Sequence, residues 1–333
     1  MPNQIVPVLT CGAWLMAGAA FAQAPPAASQ ATTPAPTAVA PLTVQAAPGP
    51  VTVRKETREF VQTFAASTPA IDQIARWHDP VCIGVVGLVP EQAARVAARI
   101  QEVAEGVGMR ALKPGCRANI EVVFTDQPQA FMDKVAANRE EVLGYFHRHQ
   151  LAALKTVTRP IQAWYVTATV SNSGPNGDLA SATVSSNAAA ISGAAFNFQP
   201  LTEVVDDPTN RGPTSCGDSP HFTHCLVSNL KNVLIVIDTS RLKDKTLGPV
   251  SDYLSLLALA QPRSLDGCTA LPSVIDLLGP ACRDRGAPDG LTPADAAYLT
   301  SLYAANLEYN RQGEENDIAS RMASILTNAN RPR

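Results

Sequence analysis

One short stretch places side chains at spacings that could do chemistry. In "SDYLSLLALAQ", Ser251 to Gln261, the polar residues Ser251, Asp252 and Ser255 interrupt an apolar run, with Gln261 beyond it. Residues four apart on a helix lie one above the other. Ser251 and Ser255 therefore share a face, and Asp252 follows directly on the first. Two ligands at that spacing, with an acid beside them, are what a helix-borne catalytic metal uses. A catalytic zinc, however, needs donors such as imidazole or carboxylate plus an open position for water. Neutral hydroxyls do not deprotonate near neutral pH and do not displace the ion's water. Asp252 without a metal has no acidified water to act on. The expectation is a polar stripe that hydrogen-bonds the floor of a half-buried cleft, because buried polar groups need partners.

Other combinations carry less. His221 and His224 stand between Cys216 and Cys225, with Asp218 close by, and form the alternative metal set. Read plainly, they are surface histidines in a cysteine-bounded loop. His147-Arg148-His149 reads as alternating across an extended, solvated face. Serine, histidine and aspartate all occur, but a G-x-S-x-G elbow does not. Neither a phosphate loop nor G-x-G-x-x-G is present, and no cofactor is expected. The net charge of -3 argues against a nucleic-acid surface, which needs clustered Lys and Arg.

The elements that must position these residues alternate. "KETREFVQTFAAS" has helical spacing and "PAIDQIARW" reads as a short helical turn. "VCIGVVGL" (Val81–Leu88) is an apolar run of strand length, as for a strand covered on both faces. Pro90 opens an amphipathic helix stopped by glycines. Ala118–Thr125 is a second strand, "QAFMDKVAANREEVLGYF" a helix, Arg159–Val170 a third strand and Val233–Asp238 a fourth. Trp77, Trp164 and Tyr165 read as core. In "GLTPADAAYLTSLY", Thr292 caps, Pro293 takes the first helical position and Asp295 completes a capping box. The closing helix offers Ile318, Met322 and Ile325 as a packing face. Strand–helix alternation predicts an α/β fold. With 46% hydrophobic and 17% charged residues, the chain of 333 can bury a sizeable core.

The N-terminus reads as an export signal over residues 1–22. It has an apolar segment and a small-x-small pattern at Ala20-Phe21-Ala22, although "MPNQ" lacks the usual Lys or Arg. A Pro/Ala-rich linker follows over 23–53, then one domain over 54–330 with a flexible Ser/Asn/Gly loop at 171–193. Of seven cysteines, Cys11 falls in the signal. The even remainder suggests disulfides in an oxidising compartment, periplasmic or extracellular. Nearest-neighbour pairing is the simplest arrangement: Cys82–Cys116, Cys216–Cys225 and Cys268–Cys282.

From about Val81 to Tyr303 the chain resembles a zincin of the metzincin type. That family's helix carries H-E-x-x-H-x-x-G-x-x-H. Here Ser251, Ser255 and Gln261 fall at the ligand positions, Asp252 at the base and Ala258 at the glycine. "LPSVIDLL" (Leu271–Leu278) falls at the turn beneath the metal, with Ile275 near the usual methionine. "LTPADAAYLTSLY" is similar to the closing helix. A closer resemblance is to uncharacterised exported bacterial proteins whose helix bears acids and amides. The resemblance implies a twisted mixed sheet with helices, a helical C-terminal part and a zinc motif that has been lost. It implies a cleft offering Asp252, Ser273 and Asp276. The function expected is non-catalytic: an exported protein binding a peptide, envelope component or protein partner along the cleft above Val233–Asp238, where the sheet's edge strand could take an extended chain. The alternatives are a metal-dependent hydrolase with non-standard ligands and an envelope structural protein anchored by an uncleaved N-terminus. With the signal removed, no stable membrane span is expected. Oligomeric state is left open.

Overall fold

The computed structural model describes residues 50–171, 226–279, 282, 286–307 and 309–329. The expected signal, nearly all of the linker, the loop at 171–193 beyond its first residue, the Cys216–Cys225 pair and the set Asp218, His221 and His224 lie outside them.

A four-stranded mixed sheet organises the domain. Its strands are β1 (Ile83–Val86), β2 (Ile120–Thr125), β3 (Ile161–Ser171) and β4 (Leu226–Asp238), in the order β1-β2-β4-β3. β1, β2 and β4 run parallel, and β3 lies antiparallel to β4. Helices α1 (Pro50–Phe64), α2 (Pro90–Gly106), α5 (Leu247–Leu259), α6 (Pro293–Ala304) and α7 (Arg311–Ala329) contribute to one large core. Helix α3 (Pro128–Asn138), the 3-10 turn Glu140–Leu143 and α4 (Leu151–Leu154) cover the other face. The two-residue period of a strand divides β4 between them. Val233, Ile235 and Ile237 join the larger core, Leu234 and Val236 the smaller. This is an α/β fold with a helical C-terminal part.

Local signals place several elements well. α2 starts with Pro90 in its first turn and buries Val96, Ile100 and Ala104, four residues apart each time. α6 opens on the Thr292–Asp295 capping box with Pro293 behind it. Trp77 and Trp164 are core. On α7, Ile318 and Met322 are buried while Ile325 is 37% exposed. α1 already begins at Pro50, ahead of the expected boundary at residue 54, because proline fits a first helical turn. Cys82–Cys116 and Cys268–Cys282 are paired, with Cα atoms 6.1 and 5.7 Å apart.

Elsewhere the structure corrects the local reading. β1 is a half-buried edge strand of four residues, not a longer strand covered on both faces. "PAIDQIARW" is not helical. Near its end Arg76 bonds to β4: Arg76 N donates to Ser228 O at 3.3 Å and Leu230 N to Arg76 O at 3.0 Å. The helix after β2 stops at Asn138, because Arg139 leaves helical geometry and reaches across to Glu121. That buried ion pair is bidentate at 3.0 and 3.0 Å, and Asn232 donates to the same carboxylate. β4 starts at Leu226, well before Val233. Among the described residues, no helix is long and apolar enough to cross a membrane.

Candidate functional site

Helix α5 is apolar nearly all round, and every residue from Val250 to Leu259 is buried, which makes it a core helix. A buried helix end must still satisfy its last carbonyls. Three aromatic side chains do so here. Tyr165 donates its hydroxyl to Leu257 O at 2.9 Å, Trp77 Nε1 donates to Ala258 O at 2.8 Å, and Tyr303 donates to Leu259 O at 2.7 Å. The helix runs through Ala258 without turning back, and the chain leaves it in extended form at Ala260.

The polar stripe of α5 serves the fold. Ser251 Oγ donates to Leu247 O at 2.7 Å, and Ser255 Oγ donates to Ser251 O at 2.8 Å, each one turn back. Ser255 is fully buried. The Asp252 carboxylate accepts from Arg99 Nε of α2 at 2.5 Å and from Leu291 N, just ahead of α6, at 3.0 Å. It thus joins α2, α5 and the entry to α6. The approach is close enough that a Cβ on Gly290 would lie 2.3 Å from Asp252 Oδ2. Hydroxyls spent on helix carbonyls and a carboxylate paired with a guanidinium do not fit a zinc ion. Among the described residues, no group of three His, Cys, Asp or Glu side chains is placed to hold a metal.

Ser273 and Asp276, expected at the cleft, also lie in a joint. Ser273 is fully buried and donates to Asp295 Oδ1 at 2.6 Å, while Asp276 Oδ2 accepts from Ser273 N at 3.1 Å. Asp295 accepts further from Val274 N at 2.7 Å and Thr292 N at 2.9 Å, locking the turn at Val274–Leu277 onto α6. Ile275 is buried in the core. These placements yield a contrast. Asp252→Ala should cost roughly 1–3 kcal/mol, since Leu291 N and Arg99 lose their acceptor. Ser255→Ala should change stability by no more than about 1 kcal/mol, because back-bonded helix hydroxyls contribute little. Urea unfolding of the two variants measures both, and equal losses would contradict this division of roles.

Of the four motif positions, only Gln261 reaches an open space. Beyond the end of α5 it lines a groove of about 520 Å3 beside β3. Tyr165 and Thr167 of β3 form one wall, and Ser67, Thr68 and Pro69 another. The stretch from Gly144 to Leu154 supplies Tyr145, Phe146, His149 and Gln150. These walls are held from behind. Thr68 Oγ1 and Ser228 Oγ are 2.5 Å apart, Ser67 Oγ donates to Asp72 at 2.8 Å, and Gln150 Oε1 accepts from Phe146 N and His147 N at 2.9 and 2.8 Å. Burial pushes the Tyr165 hydroxyl well above its ordinary range, so it stays a neutral donor. The Gln261 side chain has no such anchor. Its backbone carbonyl accepts from Ala66 N at 3.2 Å, while its buried carboxamide oxygen has no hydrogen-bond partner among the described residues.

His147 and His149 do not alternate across an extended face. Arg148–Gln150 forms a 3-10 turn, and the two rings stack with centroids 5.4 Å apart. The groove residues other than Gln261, His149 and Tyr165 escaped the sequence reading, because four separate segments build its walls. Tyr165 was legible only as an aromatic on a strand.

Comparison with known proteins adds no relative. No family model matches the chain, and no curated protein or solved structure matches it.

Proposed function

We propose that this is an exported, non-catalytic binding protein of zincin-like layout that holds an extended peptide segment, offered by an envelope protein partner, in the groove beside β3. The observation that carries this reading is the Gln261 carboxamide. It stands at a motif position, belongs to the lining of this groove, and its oxygen has no hydrogen-bond partner among the described residues. Its oxygen is buried, so the amide nitrogen is the end that can donate to a carbonyl of an extended chain. Mostly apolar walls with a few placed polar groups suit a binding site of this volume.

The layout is supported by element order: an antiparallel strand at the sheet edge, then the last parallel strand, then α5. Export is supported by two disulfides, which persist in oxidising compartments. The non-catalytic character is supported by Ser251, Asp252 and Ser255 being committed to internal bonds.

Selection of a random peptide library against the full chain tests the reading. Selected peptides should lose about tenfold in affinity on Gln261→Leu, the equivalent of one hydrogen bond, and should be recovered intact after prolonged incubation. Peptides that bind the variant equally well remove the groove from the interaction, and peptides that are cleaved remove the non-catalytic assignment.

A further inference from the structure

Among the described residues, the walls of the β3 groove contain no Lys, Arg, Asp or Glu, in a chain where 17% of residues are charged. The ionic groups of neighbouring segments are turned to other partners. Asp72 accepts from Ser67 Oγ at 2.8 Å and from Arg311 Nε at 3.2 Å, and Arg148 reaches Glu140 at 3.4 Å. Among the described residues, His149 is the one basic side chain in the lining, and its ring stacks on His147. Tyr145, Phe146 and Leu154 are half-buried, so each still offers apolar surface.

A charged side chain entering such a space would leave water for walls whose described residues provide no carboxylate, ammonium or guanidinium as counter-ion. Burying an unpaired charge is far more costly than burying an apolar group of the same size. An aromatic or aliphatic side chain instead gains from the area it removes from water, and an aromatic ring gains further from edge or offset contact with Tyr145, Phe146 or Tyr165.

We infer that the groove selects peptide segments whose inward-facing residue is uncharged and apolar, with aromatic residues preferred. This rests on the peptide reading of the groove and adds its specificity. Charge placed on the rim then controls the choice. Ala153 is exposed and lines the groove, so Ala153→Lys supplies a cation without disturbing the core.

Calorimetric titration of the full chain with four capped pentapeptides, Ac-Ala-Ala-Xaa-Ala-Ala-NH2 with Xaa as Phe, Leu, Lys or Glu, provides the test. The Phe and Leu peptides should bind at least about tenfold more tightly than the Lys and Glu peptides. Ala153→Lys, checked for an unchanged melting curve, should narrow the gap between Phe and Glu while leaving Lys weak. If all four bind alike, or a charged peptide binds most tightly, the selectivity is overturned and peptide binding stands. If none binds, including the case where a neutral disaccharide such as cellobiose does, both the selectivity and the peptide reading are overturned.

Discussion

Arg76→Met is expected to lower the unfolding free energy by about 3–5 kcal/mol, the usual loss when one partner of a buried ion pair is removed. Arg76 is 2% exposed and its guanidinium serves three acceptors. It pairs with the Glu314 carboxylate of α7, and it donates to Leu302 O at 2.9 Å and Ala305 O at 3.2 Å at the end of α6. Glu314 in turn accepts from Ile74 N at 2.6 Å. One side chain thus ties the segment before β1 to the last two helices. Methionine keeps much of the apolar stem but leaves a buried carboxylate without its cation and removes a donor from two carbonyls, of which Leu302 O keeps only the backbone N–H of Ala305 at 3.4 Å. Restoring neutrality with Arg76→Met/Glu314→Leu should recover a large part of the loss, because an apolar pair carries no desolvation cost.

The pH dependence separates this cause from lost packing. Burial pushes the Glu314 carboxyl from 4.5 up to about 7, with Arg76 pulling it back down. A carboxyl whose folded value is raised contributes stability that is fully present below its unfolded value and is lost as pH rises through the folded one. In Arg76→Met the opposing pull is gone, so the folded value climbs further. The variant's deficit relative to wild type should therefore widen as pH rises from about 5 to about 8. Urea unfolding at both ends of that range measures it. A deficit that stays constant would mean lost packing rather than an uncompensated charge.

Gly144→Ala is expected to cost about 3 kcal/mol and to abolish peptide binding in the groove. Gly144 ends the turn Glu140–Leu143 in left-handed conformation, with φ at 62°. A Cβ there would lie 1.6 Å from the carbonyl oxygen of Tyr165 on β3, an overlap of backbone that no rotamer relieves. The stretch carrying Tyr145, Phe146 and His149 would have to lift away from the strand and take one wall of the groove with it. Gly108→Ala supplies the control. Its φ is also positive, at 85°, but nothing lies within 4 Å of the added Cβ, so only the conformational cost of about 1 kcal/mol remains. Thermal unfolding of both variants decides the point, and equal losses would mean that the close approach to Tyr165 carries no energy.

The elements legible from the amino-acid order are those whose signals are local. α2 carries its proline, its four-residue apolar spacing and its terminal glycine within one stretch, and α6 carries its own capping box. The strand–helix alternation and the two disulfides follow similar logic, since each disulfide joins cysteines that are consecutive among those outside the expected signal. The first half of β4 was hidden because Ser228, Asn229 and Asn232 break its apolar pattern. Each finds its partner elsewhere in the chain, at Thr68, Asp79 and Glu121. The same holds for Arg76, whose backbone bonds lie on β4.

At the candidate site the division is sharper. Helical spacing alone put Ser251 and Ser255 on one face and ruled out imidazole chemistry there. It could not say that this face would be closed by packing, that Asp252 would meet Arg99 from α2, or that only Gln261 would emerge into a groove. Periodicity records which side chains point the same way along one element. What stands opposite them is set by how separate elements pack, and for the β3 groove that means four segments brought together only by the folded sheet.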